Sequence, residues 1–376
     1  MSYTKEISAR EPEASRRRGL GRMPRSRLVD AGCALLSVPY GAAASAGLLV
    51  PGFLMLPLFL IKERRGPHAN RSNEAGGSLS AIKTLNARAV MARIGVGPDA
   101  LAPKLMAPLS LTGPGTLGWL YTHAYDRSLV AGFALTRRLW VEQALRPFLG
   151  KVMKFVDTGY LQMRTCWLDD VVKRFIEDRA GQPGQLVILG AGYDTRCLRL
   201  APQDSIRSFE VDAPGTQAQK RALMTQVGVD DSKVRYVPCD FGEQDWLREL
   251  EKAGFDPTVP ACFVWEGVSM YLPREVVIAT LQKVKSLAPG SIIGFDCLSA
   301  AWIANPAMTK MTQRAGEPWR FGLDAGDVQA FIEGAGLRCL DNLRHEELLR
   351  RYTPADARGH SLAACIDFGA FLLAGN

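Results

Sequence analysis

A chain of 376 residues has room for one large domain or two ordinary ones. Its 47% hydrophobic and 22% charged residues are those of a folded globular protein. Most of the net charge of +8 lies in residues 1–65, so the rest of the chain is nearly neutral, which argues against a broad nucleic-acid-binding face.

In chain order the first element is a charge-free run, residues 31–61. Its densest part, "AAASAGLLVPGFLMLPLFL" at 42–60, is close to the ~20 residues that cross a bilayer. Basic clusters flank it, "RRRGLGRMPRSR" before and "KERR" after, while Pro39, Pro51 and Pro57 would kink a helix there. Three readings stand: a membrane anchor or in-plane hairpin, a removable organelle-targeting segment, and a buried helix. Residues 66–80 are rich in Gly, Ser and Asn and read as a linker. The expected division is a basic and apolar segment with linker over 1–80, a helical cap over 81–180, and a ligand-binding domain over 181–376.

Within the cap, "MRTCWLDDVVKRFIEDRA" at 163–180 carries Trp167, Leu168, Val171, Val172, Phe175 and Ile176 at helical spacing and ends before Gly181. From 186 onward strand, turn and helix repeat. The expected strands are 186–190, 207–211, 234–239, 261–265 and 291–296, short apolar runs suited to a parallel sheet covered on both faces. "GLRCLDN" and "CIDFGAFLLAG" add an antiparallel edge pair near the end. The pattern predicts an α/β fold: a doubly wound, mostly parallel sheet with helices on both faces and a helical N-terminal extension.

The eight cysteines form no CxxC pair and several stand in apolar runs, so they read as reduced thiols of an intracellular protein. The four histidines, His68, His123, His345 and His360, are scattered and make no metal pattern.

Ligands of such sheets sit at the carboxyl ends of the strands. The first strand ends in Gly190-Ala191-Gly192. The second ends in "FEVD" with Glu210 and Asp212, the third in "PCDF" with Asp240 and Phe241, and the fourth in "WEG" with Glu266. Asp212 follows Gly192 by 20 residues, the separation at which an acid reaches the ribose hydroxyls of an adenosine cofactor. Asp240 and Phe241 suit an adenine, one for the exocyclic amine and one for the ring face. Three cofactor classes compete. A nicotinamide dinucleotide wants GxGxxG, but Thr195 stands at the last position, and a nucleoside triphosphate wants GxxxxGK[ST], but no lysine follows. A row of carboxylates also repels phosphates. S-adenosylmethionine, with two cationic groups and no phosphate, fits best. The bland alternative makes each carboxylate a helix cap beside a strand end.

Taken together, "LVILGAGYDTRCLRL", "FEVDAPGTQAQKRALM", "VRYVPCDF", "WEGVSMYLP" and "GEPWRFGLDAGDVQAFIEGAGLR" resemble the leucine carboxyl methyltransferase-like group of S-adenosylmethionine-dependent methyltransferases. The resemblance runs over roughly residues 160–375. It implies a class I methyltransferase-like sheet and a role for each matching residue. Arg164 would hold the cofactor's carboxylate, Gly190, Ala191 and Gly192 its methionine portion, and Glu266 would lie near its amino group. Asp212 would bind the ribose, and Asp240 with Phe241 the adenine. Asp194 and Arg196 match positions that are structural or face the substrate. The early basic residue of the family has no counterpart identified in this sequence, and the first ~80 residues have none at all.

The implied activity is methyl transfer to an oxygen of a small-molecule or protein acceptor, a carboxylate first and a hydroxyl second. A carboxylate is already an anion and needs no general base, in keeping with the absence of a nucleophile–His–acid set. Arg196, Arg274 and Arg320 are candidates to hold an anionic acceptor. Trp302, Met308, Met311 and Trp319 in the segment 298–323 could roof its pocket. The readings from other classes are an inactive assembly factor of the same fold and an NAD(P)-dependent oxidoreductase.

Overall fold

A computed structural model describes residues 78–110, most of 119–131, 158–201, 205–352 apart from 315, and 369–376. The apolar run at 31–61 and Met311's side chain lie outside the described residues. No helix among the described residues is long and apolar enough to cross a membrane.

Helices α1 (Leu79–Arg93), α2 (Ala102–Met106) and α3 (Thr158–Arg179) precede the sheet, and the described residues of 119–131 are helical as well. Then strands and helices alternate as β1 (Gly184–Leu189), α4 (Arg196–Arg199), β2 (Ile206–Asp212), α5 (Pro214–Gln226), β3 (Val234–Pro238), α6 (Trp246–Lys252) and β4 (Ala261–Trp265). A 3-10 turn (Ser269–Tyr271) leads to α7 (Arg274–Lys285) and β5 (Ile292–Leu298). The chain continues through α8 (Ala300–Ala304), α9 (Pro306–Arg314), α10 (Val328–Gly334), β6 (Arg338–Leu343), α11 (His345–Tyr352) and β7 (Gly369–Gly375). The sheet order is β3-β2-β1-β4-β5-β7-β6, parallel through β5, with β7 antiparallel to both β5 and β6. All seven expected strands are present, and the order reverses between β1 and β4.

The strands are apolar on both sides because both sides are covered. On β1, Val187 and Leu189 join one core with Trp246 and Leu250 of α6 and Val277, Leu281 and Val284 of α7. Leu186 and Ile188 point the other way, into a core with Met163, Trp167, Leu168, Val171 and Phe175 of α3. The side chains keep the two-residue period while neither face is polar, which hides the alternation in the sequence. Helix α1 packs elsewhere. Its Ile82, Leu85 and Ala89 join Leu105 and Met106 of α2, Tyr193 of the first turn, and Leu223 and Met224 of α5. That seat holds α1 over the carboxyl ends of the strands.

Candidate functional site at the carboxyl ends of the strands

Because β3, β2, β1 and β4 are consecutive in the sheet, Asp240-Phe241, Asp212, the glycine turn and Glu266 stand in one line. Three interstrand steps of about 4.8 Å make the line about 14 Å long, the reach of an extended adenosyl amino acid. Gly190 and Gly192 have φ of 67° and 50°, in the left-handed region that glycine adopts without strain. A Cβ on Gly190 would lie 2.4 Å from Cγ2 of Val268, so the turn also needs glycine for space. Gly190 N donates to Val211 O at 2.8 Å, and Ala191 N to the same carbonyl at 3.2 Å.

The Asp212 carboxylate is tied to that turn. Its Oδ2 accepts from Gly192 N, and its Oδ1 accepts from Ala213 N at 2.6 Å. Burial raises its pKa, and the two backbone donors oppose the rise. Each carboxylate oxygen keeps a further lone pair for a ribose hydroxyl. Asp240 is less enclosed. Its Oδ1 accepts from Gly242 N at 2.8 Å, and Phe241 beside it is half-buried against the core.

The other end of the line is built differently. Glu266 takes three guanidinium groups. Arg164 of α3 donates from Nε to Oε1 at 3.0 Å, Arg88 of α1 from Nη2 to Oε2 at 2.7 Å, and Arg196 of α4 from Nη1 to Oε2 at 2.5 Å. Arg164 also donates from Nη1 to Asp296 Oδ2 at 2.8 Å. Arg196 is fully buried and continues to Asp194 and, at 2.8 Å, to Asp169, which Arg199 grips with both terminal nitrogens. Burial alone would raise the Glu266 pKa, but Arg196, Arg88 and Arg164 hold it well below the usual carboxylate range. Beneath the turn, Lys220 donates to Glu210 Oε2 at 2.5 Å and to the Asp194 carbonyl, and burial brings Glu210 up to about 7. Glu266 is thus an ion-pair hub and not a helix cap.

The expected acceptor arginines are placed elsewhere or already engaged. Arg196 is inside this hub. Arg274 lays its guanidinium 4.7 Å over the Phe331 ring, and Arg320 is exposed. Two residues that the sequence reading left out belong to the site, Arg88 and Asp296. Their signals were a lone arginine among the buried Leu85, Ala89, Val90 and Met91 of α1, and a lone aspartate inside the apolar strand "IIGFDCL". Arg88 brings a basic group from the early part of the chain, where the family's basic residue had no counterpart.

A family model described as leucine carboxyl methyltransferase matches residues 136–285. A relative from Mycobacterium sp. (strain JLS), named as an S-adenosyl-L-methionine-dependent methyltransferase, is 30% identical over 222 residues, covering 56% of this chain and 71% of the relative. One from Mycobacterium tuberculosis with the same naming is 40% identical over 115 residues, 30% of this chain and 38% of its own. Among solved structures, one described as a methyltransferase of Thermobifida fusca aligns over 77% of this chain and 94% of its own, at 18% identity and a TM-score of 0.44. The donor set fits the cofactor named for the two mycobacterial relatives. A carboxylate, Asp212, stands against the glycine turn, Gly190 leaves no room for a side chain, and arginine and glutamate stand together at the far end of the line. The cofactor is S-adenosylmethionine, and the chain belongs to the leucine carboxyl methyltransferase-like family of S-adenosylmethionine-dependent methyltransferases.

Proposed function

We propose that the chain transfers a methyl group to an oxygen atom of its acceptor, carboxylate or hydroxyl. When bound, the cofactor supplies an electrophilic methyl group on a sulfonium. The chain's own residues bind and orient it. Asp212 accepts from the ribose hydroxyls, Asp240 and Phe241 hold the adenine, and Gly190, Ala191 and Gly192 let the backbone approach the methionine portion. Arg164 with Arg88 receives the carboxylate, and Glu266 the amino group. The observation that carries this reading is the row of strand-end groups, Asp240, Asp212, the glycine turn and Glu266, on four adjacent strands.

Transfer to oxygen is supported by the family description, a carboxyl methyltransferase, and by the means available. In-line displacement onto oxygen asks the protein mainly to position and desolvate the pair. The test is to give the full chain methyl-labelled S-adenosylmethionine together with an extract of the cells that carry its gene, and to locate the label by mass spectrometry. Label on oxygen is the expected result. Label on nitrogen or sulfur would refute the oxygen reading.

A further inference from the structure

Asp296 is the one charged residue of β5, and the packing of that strand on α3 brings it its partner. A Cβ built on Gly294 would lie 3.1 Å from the Leu168 side chain and 3.5 Å from that of Val171, so glycine lets the helix lie close on this face of the strand. Two residues further along the strand is Asp296, and one turn back along the helix from Leu168 is Arg164. The two steps match, about 6.6 Å on a strand and about 6.0 Å on a helix, so the carboxylate meets the guanidinium. Arg164 Nη1 donates to Asp296 Oδ2 at 2.8 Å. Register adds the second acid. Trp265 pairs with Phe295 and both turn to the opposite core, so the next residues, Glu266 and Asp296, point together toward α3.

Both oxygens of Asp296 are taken. Oδ1 accepts from Gly267 N at 2.6 Å and Oδ2 from Arg164, with the Tyr160 hydroxyl 3.5 Å from the same oxygen. The Asp296 carbonyl accepts from Ser269 Oγ at 2.6 Å. The side chain is 0% exposed, which leaves it no surface for a cofactor. Arg164, in turn, is held on two of its three nitrogens: Nε donates to Glu266 Oε1 at 3.0 Å and Nη1 to Asp296. Gly267, with φ of 70°, lays its backbone against the guanidinium. A Cβ there would stand 3.1 Å from Nη1 and 3.2 Å from Nη2. Nη2 has no hydrogen-bond partner among the described residues. A guanidinium is a rigid planar fork, so fixing two nitrogens fixes where the third points. A single bond at Nε would leave the plane free to turn about it.

We infer that Asp296 is a positioning residue for the cofactor: it locks the Arg164 fork so that Nη2 is presented to the cofactor's carboxylate, and Gly267 leaves the room for it. The inference rests on the assignment of Arg164 to that carboxylate and deepens it. Asp296 acts only through other groups. It grips Arg164 with one oxygen and the backbone of the residue after Glu266 with the other. One buried carboxylate thus sets the spacing between the groups that meet the two opposite charges of the cofactor's amino acid.

The experiment titrates the full chain calorimetrically with two probes, S-adenosylmethionine and methylthioadenosine, which keeps the adenosine and the sulfur and lacks the amino acid. Asp296→Asn keeps the shape but sets an amide N–H against one of the two donors. Its affinity for S-adenosylmethionine should fall about tenfold while that for methylthioadenosine stays within about twofold. Gly267→Ala keeps every charge and crowds the guanidinium, and should give a selective loss of the same kind, which decides the matter if Asp296→Asn does not fold. Arg164→Lys should lose S-adenosylmethionine selectively by at least as much, and adding Asp296→Asn to it should cost less than about twofold more, because Asp296 then has no fork to hold. Equal loss of both probes in Asp296→Asn, full affinity in both Asp296→Asn and Gly267→Ala, or additive losses in the double variant would each overturn the inference. If Arg164→Lys binds both probes as the unsubstituted chain does, the assignment of Arg164 fails and the inference falls with it. A selective loss in Arg164→Lys without one in Asp296→Asn defeats the inference alone.

Discussion

The two ends of the cofactor line are held by opposite means. At one end, Asp212 and Asp240 are fixed by backbone N–H groups within their own turns or from the adjoining strand, and Asp240 and Phe241 stand half open. At the other, Glu266 is buried among guanidinium groups from α1, α3 and α4, segments that together span more than 100 residues of sequence. The first end can lose a side chain and keep its shape. The second cannot, because removing one partner leaves a charge buried without its counter-ion. The adenosine end should therefore reveal itself in binding, and the Arg–Glu end in folding as well.

The harshest way to break the contrast is Arg196→Met. It strips Glu266, Asp194 and Asp169 of a shared partner and should destabilise the fold by about 3–5 kcal/mol, the usual penalty for half of a buried pair. Urea unfolding measures this, and a change below about 1 kcal/mol would show that the hub is not structural. At the opposite end, Asp212→Ala should weaken S-adenosylmethionine binding about 10- to 100-fold, through the loss of hydrogen bonds to a charged group. If cofactor affinity is unchanged, the ribose assignment is wrong. Arg88→Ala falls between the two, since Glu266 keeps Arg164 and Arg196. Affinity should drop about tenfold, with a thermal shift smaller than that of Arg196→Met. The mildest change is Asp240→Ala, with a binding loss of about 2- to 10-fold and an unaltered melting temperature.

Acid sharpens the same comparison. Burial would raise Asp169, Asp194 and Glu266, but their guanidinium partners hold the folded-state pKa values below the ordinary ones. Stability from these groups is fully present above about pH 4.5 and is lost as the pH falls through the depressed values. Asp212, raised by burial, contributes with the opposite sign. A melting temperature followed from pH 6 to pH 3 should fall steeply below 4.5. In Glu266→Gln, less stable at the outset, the acid limb should be shallower.

What could be read from the sequence follows from this division. The strands were legible because each is a short apolar run with its own turn, and their carboxyl ends were legible because the useful residues come next in the chain. Asp212 and Asp240 needed no knowledge of the tertiary fold. Arg88 and Asp296 did, since the signal is only one polar residue in an apolar element, and what it meets lies on another helix or strand. The hydrogen bonds from Ser78 and Ser80 to Glu317 had no local signal at all. Arg196 shows the converse. Its place beside the glycine turn suggested an acceptor contact, and the buried acids of α3 and the turn, distant or unremarkable in sequence, claim it instead.

The most direct test of the account is a calorimetric titration of the full chain with S-adenosylmethionine, with NADH in parallel and Asp212→Ala as the control. The account predicts micromolar binding of S-adenosylmethionine, none of NADH, and affinity lowered at least tenfold by the substitution. Binding of NADH, or equal affinity in Asp212→Ala, would contradict it.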